Sequence, residues 1–397
     1  MNKEKIYLDN ASTTNLSAEV LNAMLPVMTN TFGNPSSSHS FGRESSDLVD
    51  KARKTIAESI NAKSNEIYFT SSGCEANSWA LIGIANANRN KGNHVIVSAI
   101  EHSSVLEACK SLEKEGFDVT YLGVDKHGFI NFADLLRAIK SNTILISIIA
   151  ANNEIGTIQN IKAISQTAHE KGIVFHTDAV QLYGNMDLDV EDLGIDAMTI
   201  SAHKIYGPKG VGALYVSNKI KIDPIVFGGS QERHKRGGTL NTAGLVGFGK
   251  AVEVAMRDMR TNNHKVRSLS EYFVSKLSDS VENIVFNANT RQKLPHIISV
   301  MFVGVDGESL LTKLDMNGIA VSTVCACSID TMPVSHVLTA IGLNNDDAKC
   351  TIRFSLGKNN SYEEIDKAVA IIARSVEELR AFSSTYGMKT RKRKGDK

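Results

Sequence analysis

Between residues 67 and 216 the chain alternates short β-rich runs with amphipathic stretches, and few folds tolerate that pattern. The runs are IYFT at 67–70, HVIVSAI at 94–100, VTYLGV at 119–124, TILISIIA at 143–150, IVFHT at 173–177, AMTIS at 197–201 and GALYV at 212–216. Stretches such as SSVLEACKSLEKEG and IKAISQTAHEKG separate them with helical spacing, the second ending on Gly172 as a C-cap. Strands that alternate with helices predict an α/β fold with a mainly parallel, doubly wound sheet. Several runs are apolar on both faces, as a sheet covered on both sides requires. After about residue 255 the pattern changes. A long helix-like stretch, HKVRSLSEYFVSKLSDSV, precedes the strand-like HIISVMFV, IAVSTV and CTIRFSL, and SYEEIDKAVAIIARSVEELRAF closes the chain. That order predicts a smaller α+β domain at the C-terminal end. The expected division is a large domain over 16–257 and a small domain made of an N-terminal arm, 1–15, with 258–397.

Composition narrows the function. With 44 basic and 43 acidic residues, no global field points to nucleic acid or a membrane surface, and direct nucleic-acid binding is not expected. No run reaches the roughly 18–20 apolar residues of a membrane span. The opening MNKEKIYLDNAS has no apolar leader region. Five scattered cysteines, an odd number, make no disulfide framework. The expectation is a cytoplasmic protein with reduced thiols. Lys389, Arg391, Lys392, Arg393, Lys394 and Lys397 crowd the C-terminus and read as a solvated tail, with contact to a nucleic acid or an acidic partner the alternative.

In open α/β sheets ligands bind beyond the carboxyl ends of the strands. The residues just past each run are therefore the candidates for a site. After IYFT come Ser71, Ser72, Gly73, Cys74 and Glu75; after HVIVSAI, Glu101 and His102; after TILISIIA, Asn152, Asn153 and Glu154; after IVFHT, Asp178 and Gln181; after AMTIS, His203 and Lys204. One acid after one strand is usually a helix cap, but five such ends agree. SSGC opening a helix offers N–H groups and a positive dipole end to a phosphate. A buried Asp suits a protonated ring nitrogen, a His can lie on a flat ring and move protons, and the lysine of SAHK, ahead of GPKG, can form a Schiff base. Phosphate, ring nitrogen and aldehyde together describe pyridoxal 5′-phosphate.

At YLDNASTT (7–14), GNPSSSHSFG (33–42), HTDAVQ, SAHKIYGPKGVGALYV and TIRFSLG (351–357) the chain resembles the cysteine desulfurases, the NifS/IscS-like branch of the class V aminotransferases. The likeness covers essentially the whole chain. It implies fold type I of the pyridoxal-phosphate-dependent transferases, with a seven-stranded sheet in the large domain, and a homodimer that takes sulfur from L-cysteine, leaves L-alanine and holds the sulfur as a cysteine persulfide. It implies Lys204 as the Schiff-base lysine, Asp178 as the partner of the pyridinium nitrogen, His102 over the ring as acid/base, Gln181 beside the ring oxygen, and Asn153 near cofactor and substrate. Gly73, Cys74, Ser201 and His203 would cradle the phosphate. Thr239, in KRGGTL, would reach it from the other subunit. Arg353 would anchor the substrate carboxylate, with Asn34 a further substrate contact.

The family's cysteine-bearing loop falls on VSTVCACSID, and the sulfur-accepting cysteine on Cys327. The nucleophile is the thiolate, and an ordinary thiol near pKa ~8.5 is only slightly ionised at neutral pH, so His102 is a candidate to take its proton. Cys325 reads as filler, with a persulfide-relay role, a strained disulfide to Cys327 and a metal clip as alternatives. Three residues depart from the pattern. Val324 replaces a glycine, Cys74 replaces a threonine at the phosphate, and Pro333 is shifted by one. Cys109 and Cys350 read as core. Other enzymes built on the same contacts are a selenocysteine lyase or another class V β-lyase, and a different class is a sulfur-delivery subunit active only with a partner. Enzymes of this kind feed sulfur-acceptor proteins of iron–sulfur cluster assembly, tRNA thiolation or DNA phosphorothioation, and the sequence does not choose among them.

Overall fold

The computed structural model describes residues 5–323 and 334–382. A short N-terminal strand, β1 (Ile6–Tyr7), precedes the seven expected runs. These form β2 (Ile67–Thr70), β3 (His94–Ser98), β4 (Asp118–Leu122), β5 (Thr143–Ser147), β6 (Val174–Asp178), β7 (Ala197–Ser201) and β8 (Gly212–Val216). They make one sheet in the order β2-β8-β7-β6-β5-β3-β4. Only β8 runs against its neighbours, and the other pairs are parallel. The carboxyl ends of β2, β3, β5, β6 and β7 therefore open on one edge.

Alternation along each strand splits its side chains between two apolar layers. Val95 and Val97 pack with Trp79 and Ile84 of helix α1 (Gly73–Ala87) and with Val105 and Leu112 of α2 (Ser103–Lys114). Ile96, between them, joins the opposite layer with Ile146, Phe175 and Met198. Each such fully buried aliphatic side chain is worth roughly 1.5–3 kcal/mol, so the sheet is a rigid base for the loops at its edge. Beneath Asp178 the same strands carry a buried polar row, in which His176 Nδ1 meets Ser147 Oγ at 2.8 Å and Nε2 meets Thr199 Oγ1 at 3.1 Å. Burial pushes His176 down to about 3, so the ring is neutral.

A second sheet has the order β12-β13-β10-β9, all antiparallel, from β9 (Ile284–Phe286), β10 (Ile297–Phe302), β12 (Ser322–Thr323) and β13 (Thr351–Ser355). The run IAVSTV does not stay in one sheet. Its first part, β11 (Ile319–Ala320), pairs with β1, and the chain crosses at Val321 to pair with β13. The N-terminal arm thus belongs to this second core, where Ile6 and Leu8 pack with Phe273, Ile298 and Phe354.

The stretch HKVRSLSEYFVSKLSDSV is the end of a single 39-residue helix, α3 (Thr242–Ser280), which runs through residues 257/258 without a break. Its first half gives Phe248 and Val252 to the large core, and its second half gives Val266, Leu269, Phe273 and Leu277 to the small one. The polarity change in the sequence marks the passage from one core to the other rather than a loop.

Candidate active site

A cavity of about 360 Å³ lies at the carboxyl edge of the large sheet. Of the residues singled out in the sequence, Gly73, Cys74, His102, Asn153, Asp178, Gln181, Ser201, His203, Lys204 and Arg353 all line it. Thr239 and Asn34 do not, and both are exposed on this chain. Cys327 lies outside the described residues, as do Val324, Cys325, Pro333 and the basic tail.

The parts come from strand ends. Ser72 caps α1 by accepting the Glu75 N–H at 3.2 Å. The helix's first N–H groups, at Gly73 and Cys74, have no intrahelical acceptor, and both residues line the cavity. A Cβ at Gly73 would sit 3.0 Å from Val180 Cγ2, a tight contact that the Val180 side chain would have to relieve. Asp178 ends β6, 4% exposed. Its Oδ2 accepts Asn77 Nδ2 at 2.7 Å and its Oδ1 accepts the Val180 N–H at 2.9 Å, which fixes the carboxylate's direction. Asn77 was missed in the sequence. The available signal was an amide four residues past Gly73, and so on the same face of the helix as the cavity-lining first turn.

His102 caps α2. Its Nδ1 accepts the Ser104 N–H at 3.2 Å, which places the proton of the neutral ring on Nε2. Burial lowers its pKa, and Asp178 opposes that only in part. His203 Nδ1 meets Thr13 Oγ1 at 3.1 Å, and burial, with Lys204 and Lys209 nearby, drives its pKa down to about 4. On the β5 side Asn152 Oδ1 accepts the N–H groups of Glu154 and Ile155, a turn that leaves the Asn153 carbonyl facing Arg353.

The N-terminal arm closes the cavity. Ser12 Oγ donates to Asp9 Oδ1 at 3.0 Å, a tight local turn. The Ala11 carbonyl accepts both Lys204 Nζ and Gln181 Nε2, and the Ser12 carbonyl accepts Lys204 Nζ at 2.7 Å. Burial, and next the Arg353 guanidinium, lower Lys204 from 10.5 to about 8. Arg353, on β13, spans the two units: Nη1 donates to the Asn153 carbonyl at 2.9 Å, and Nη2 to Asp9 Oδ1 at 2.8 Å and Ser12 Oγ at 2.7 Å. No side-chain chemistry could have marked Ala11 in the sequence, since its carbonyl does the work.

Three buried polar atoms around this cavity have no partner among the described residues: Ser201 Oγ, Asn77 Oδ1 and Arg353 Nε. A ligand rich in polar atoms would satisfy them. Among the described residues there is no cluster of three or more His, Cys, Asp or Glu side chains suited to a metal ion, and no helix is long and apolar enough to cross a membrane. Cys109 and Cys350 are buried, whereas Cys74 is exposed at the cavity mouth.

A model of the aminotransferase class-V family matches residues 6–368. The chain belongs to the aminotransferase class-V family. Among class-V relatives, a cysteine desulfurase IscS of Clostridium botulinum is 46% identical over 97% of this chain and 98% of its own length. One of Methanosarcina thermophila is 46% identical over 95% of this chain and 93% of its own. A solved NifS-like protein superposes with a TM-score of 0.89 at 34% identity, covering 95% of this chain and all of that one. The class-V architecture is thus the α/β fold, with a large mainly parallel sheet, that the strand alternation predicted.

Proposed function

We propose that the chain is a pyridoxal 5′-phosphate-dependent cysteine desulfurase. The observation that carries this reading is that the Lys204 amine, the Asp178 carboxylate, the His102 ring, Ser201 Oγ and the Arg353 guanidinium line one cavity. The residues fit the cofactor. The first turn of α1 and the unpartnered Ser201 Oγ suit its phosphate, Asp178 suits its ring nitrogen, and His102 suits its ring face. Bound through its aldehyde to Lys204, the cofactor supplies an electron sink for bond changes at the substrate's α- and β-carbons.

The chain's own residues do the rest. Arg353 binds the substrate carboxylate, a task suited to its planar fork, and Asp9, Ser12 and the Asn153 carbonyl hold that fork in place. Lys204, lowered to about 8, holds or releases a proton near neutral pH. His102 presents Nε2 for the same purpose or for the attacking thiol. Asp178, held by Asn77 and the Val180 N–H, keeps a positive charge on the atom it faces. Cys327 is the sulfur acceptor in this reading: an S–S bond forms on it as the substrate C–S bond breaks, and alanine leaves. Thr239, exposed on its own chain, completes the phosphate site of a second copy, and Asn34 contacts substrate. The persulfide passes to a sulfur-acceptor protein in the cytoplasm, where thiols stay reduced. A related solved structure is described as SspA in complex with cysteine, at 36% identity and a TM-score of 0.79, covering 90% of this chain and all of that one, which supports the substrate.

The test is alanine and sulfide release from L-cysteine. Lys204→Ala should lose both the visible band of the bound cofactor and the activity. Cys327→Ala should keep the band and lose sulfide release. A wild-type protein that stays colourless with the cofactor would end the reading.

A further inference from the structure

Residues 232–234 carry an unusual stretch of backbone among the described residues. Glu232, Arg233 and His234 have φ of 45°, 57° and 61°, three successive left-handed residues without a glycine among them. Such runs are strained and persist only where surrounding contacts hold them. Here the contacts are strong. Glu232, 4% exposed, accepts both ends of the Arg53 guanidinium, at 2.8 and 2.6 Å, and the Phe69 N–H at 2.7 Å. Arg233 donates to the Ile67 carbonyl at 2.8 Å and lies over the Tyr68 ring. Lys235 donates to the Ile222 carbonyl at 2.9 Å.

The strained turn ends by delivering Arg236 to Glu75. Nε reaches Oε1 at 2.7 Å and Nη2 reaches Oε2 at 3.0 Å. The Ser71 N–H adds a third bond to Oε2 at 2.7 Å. The two side chains are only 17% and 13% exposed. Glu75 is the third residue of α1, one and two positions after Cys74 and Gly73, which line the cavity. A carboxylate there adds negative charge at the helix end that is to receive a phosphate, and the Arg236 fork cancels it.

We propose that Arg236 is an affinity-determining residue for the cofactor's phosphate: by neutralising Glu75 it keeps the first turn of α1 receptive to an anion, and it ties the strained turn 232–234, and with it the segment bearing Thr239, to the phosphate cradle. This rests on the cofactor reading above. Arg236 touches no reacting atom and acts through Glu75.

The experiment uses the full-length apoprotein, titrated with pyridoxal 5′-phosphate by absorbance and competed with inorganic phosphate, with thermal melting as the check on folding. Arg236→Gln should weaken both ligands about tenfold. Glu75→Gln alone should bind as well as wild type or better, and the double variant should return to within about threefold of wild type. The loss in Arg236→Gln should shrink as salt rises, which a purely structural defect would not do. Should Arg236→Gln fail to fold, Arg236→Lys, which keeps the charge that neutralises Glu75 although it loses the two-point fork, should lose clearly less than about tenfold. Wild-type affinity in Arg236→Gln, a double variant as weak as the single one, or a tenfold loss in Arg236→Lys would each overturn the proposal. If the wild-type chain binds neither ligand, it is the cofactor reading that fails; if wild type binds and Arg236→Gln matches it, only the role of Arg236 does.

Discussion

The amine of Lys204 sets a quantitative expectation for cofactor capture. An ordinary lysine at 10.5 is almost wholly charged at neutral pH, and only the neutral amine attacks an aldehyde. Burial and Arg353 bring Lys204 to about 8. The ratio of neutral to charged amine at pH 7 is then roughly 300-fold higher than for an exposed lysine, and about one molecule in ten is ready to react. The assay is stopped-flow growth of the visible band when pyridoxal 5′-phosphate is mixed with apoprotein between pH 6 and pH 10. The rate should climb about tenfold per pH unit up to pH 8 and then level. Arg353→Gln removes the second-largest cause of the shift, and the break should move to higher pH. Burial, the largest cause, remains, so the break stays below that of a free lysine. A rate that climbs without a break to pH 10 would refute the reasoning.

Asp178→Asn should cut alanine formation by at least about a hundredfold, because a neutral amide cannot hold charge on the atom it faces, while Asn77→Ala should cost about tenfold by releasing one hydrogen bond to that carboxylate; equal losses in kcat for the two would contradict this. Arg353→Lys should raise KM for L-cysteine by about thirtyfold, through loss of a bidentate charge-assisted contact worth about 2 kcal/mol, and change kcat less. Glu101 is wholly buried and its Oε1 accepts Ser98 Oγ and the Ile149 N–H. Burial raises its pKa from 4.5 to about 8. Its protonated form therefore contributes stability that is fully present below about pH 4.5 and lost as pH rises through 8, at most about 5 kcal/mol. Urea unfolding at pH 5 and pH 8 should show that decline in wild type and a flatter one in Glu101→Gln; parallel curves would exclude it.

What could be read in the sequence was whatever sits at the end of a regular element. Asp178, Lys204 and His102 were visible because strands stop there and the next residue changes chemical type. The positioning shell was not visible. Asn77 and Arg236 act through contacts 101 and 161 residues away in the chain, and the Ala11 carbonyl has no side-chain signature at all. The turn at 232–234 was equally hidden, since left-handed backbone without glycine arises from its tertiary ties and not from local preference. The passage of α3 through residues 257/258 escaped for a related reason: one helix changes which core it serves, and its polarity changes with it. Thr239 and Asn34, read from the resemblance, lie outside the cavity of a single chain.

The most direct measurement is reduction of the cofactor-loaded protein with borohydride and then peptide mapping. The pyridoxyl group should be found on the peptide containing Lys204, and on that residue alone. Label on another lysine, or none after reduction of a coloured sample, would contradict the assignment of this cavity.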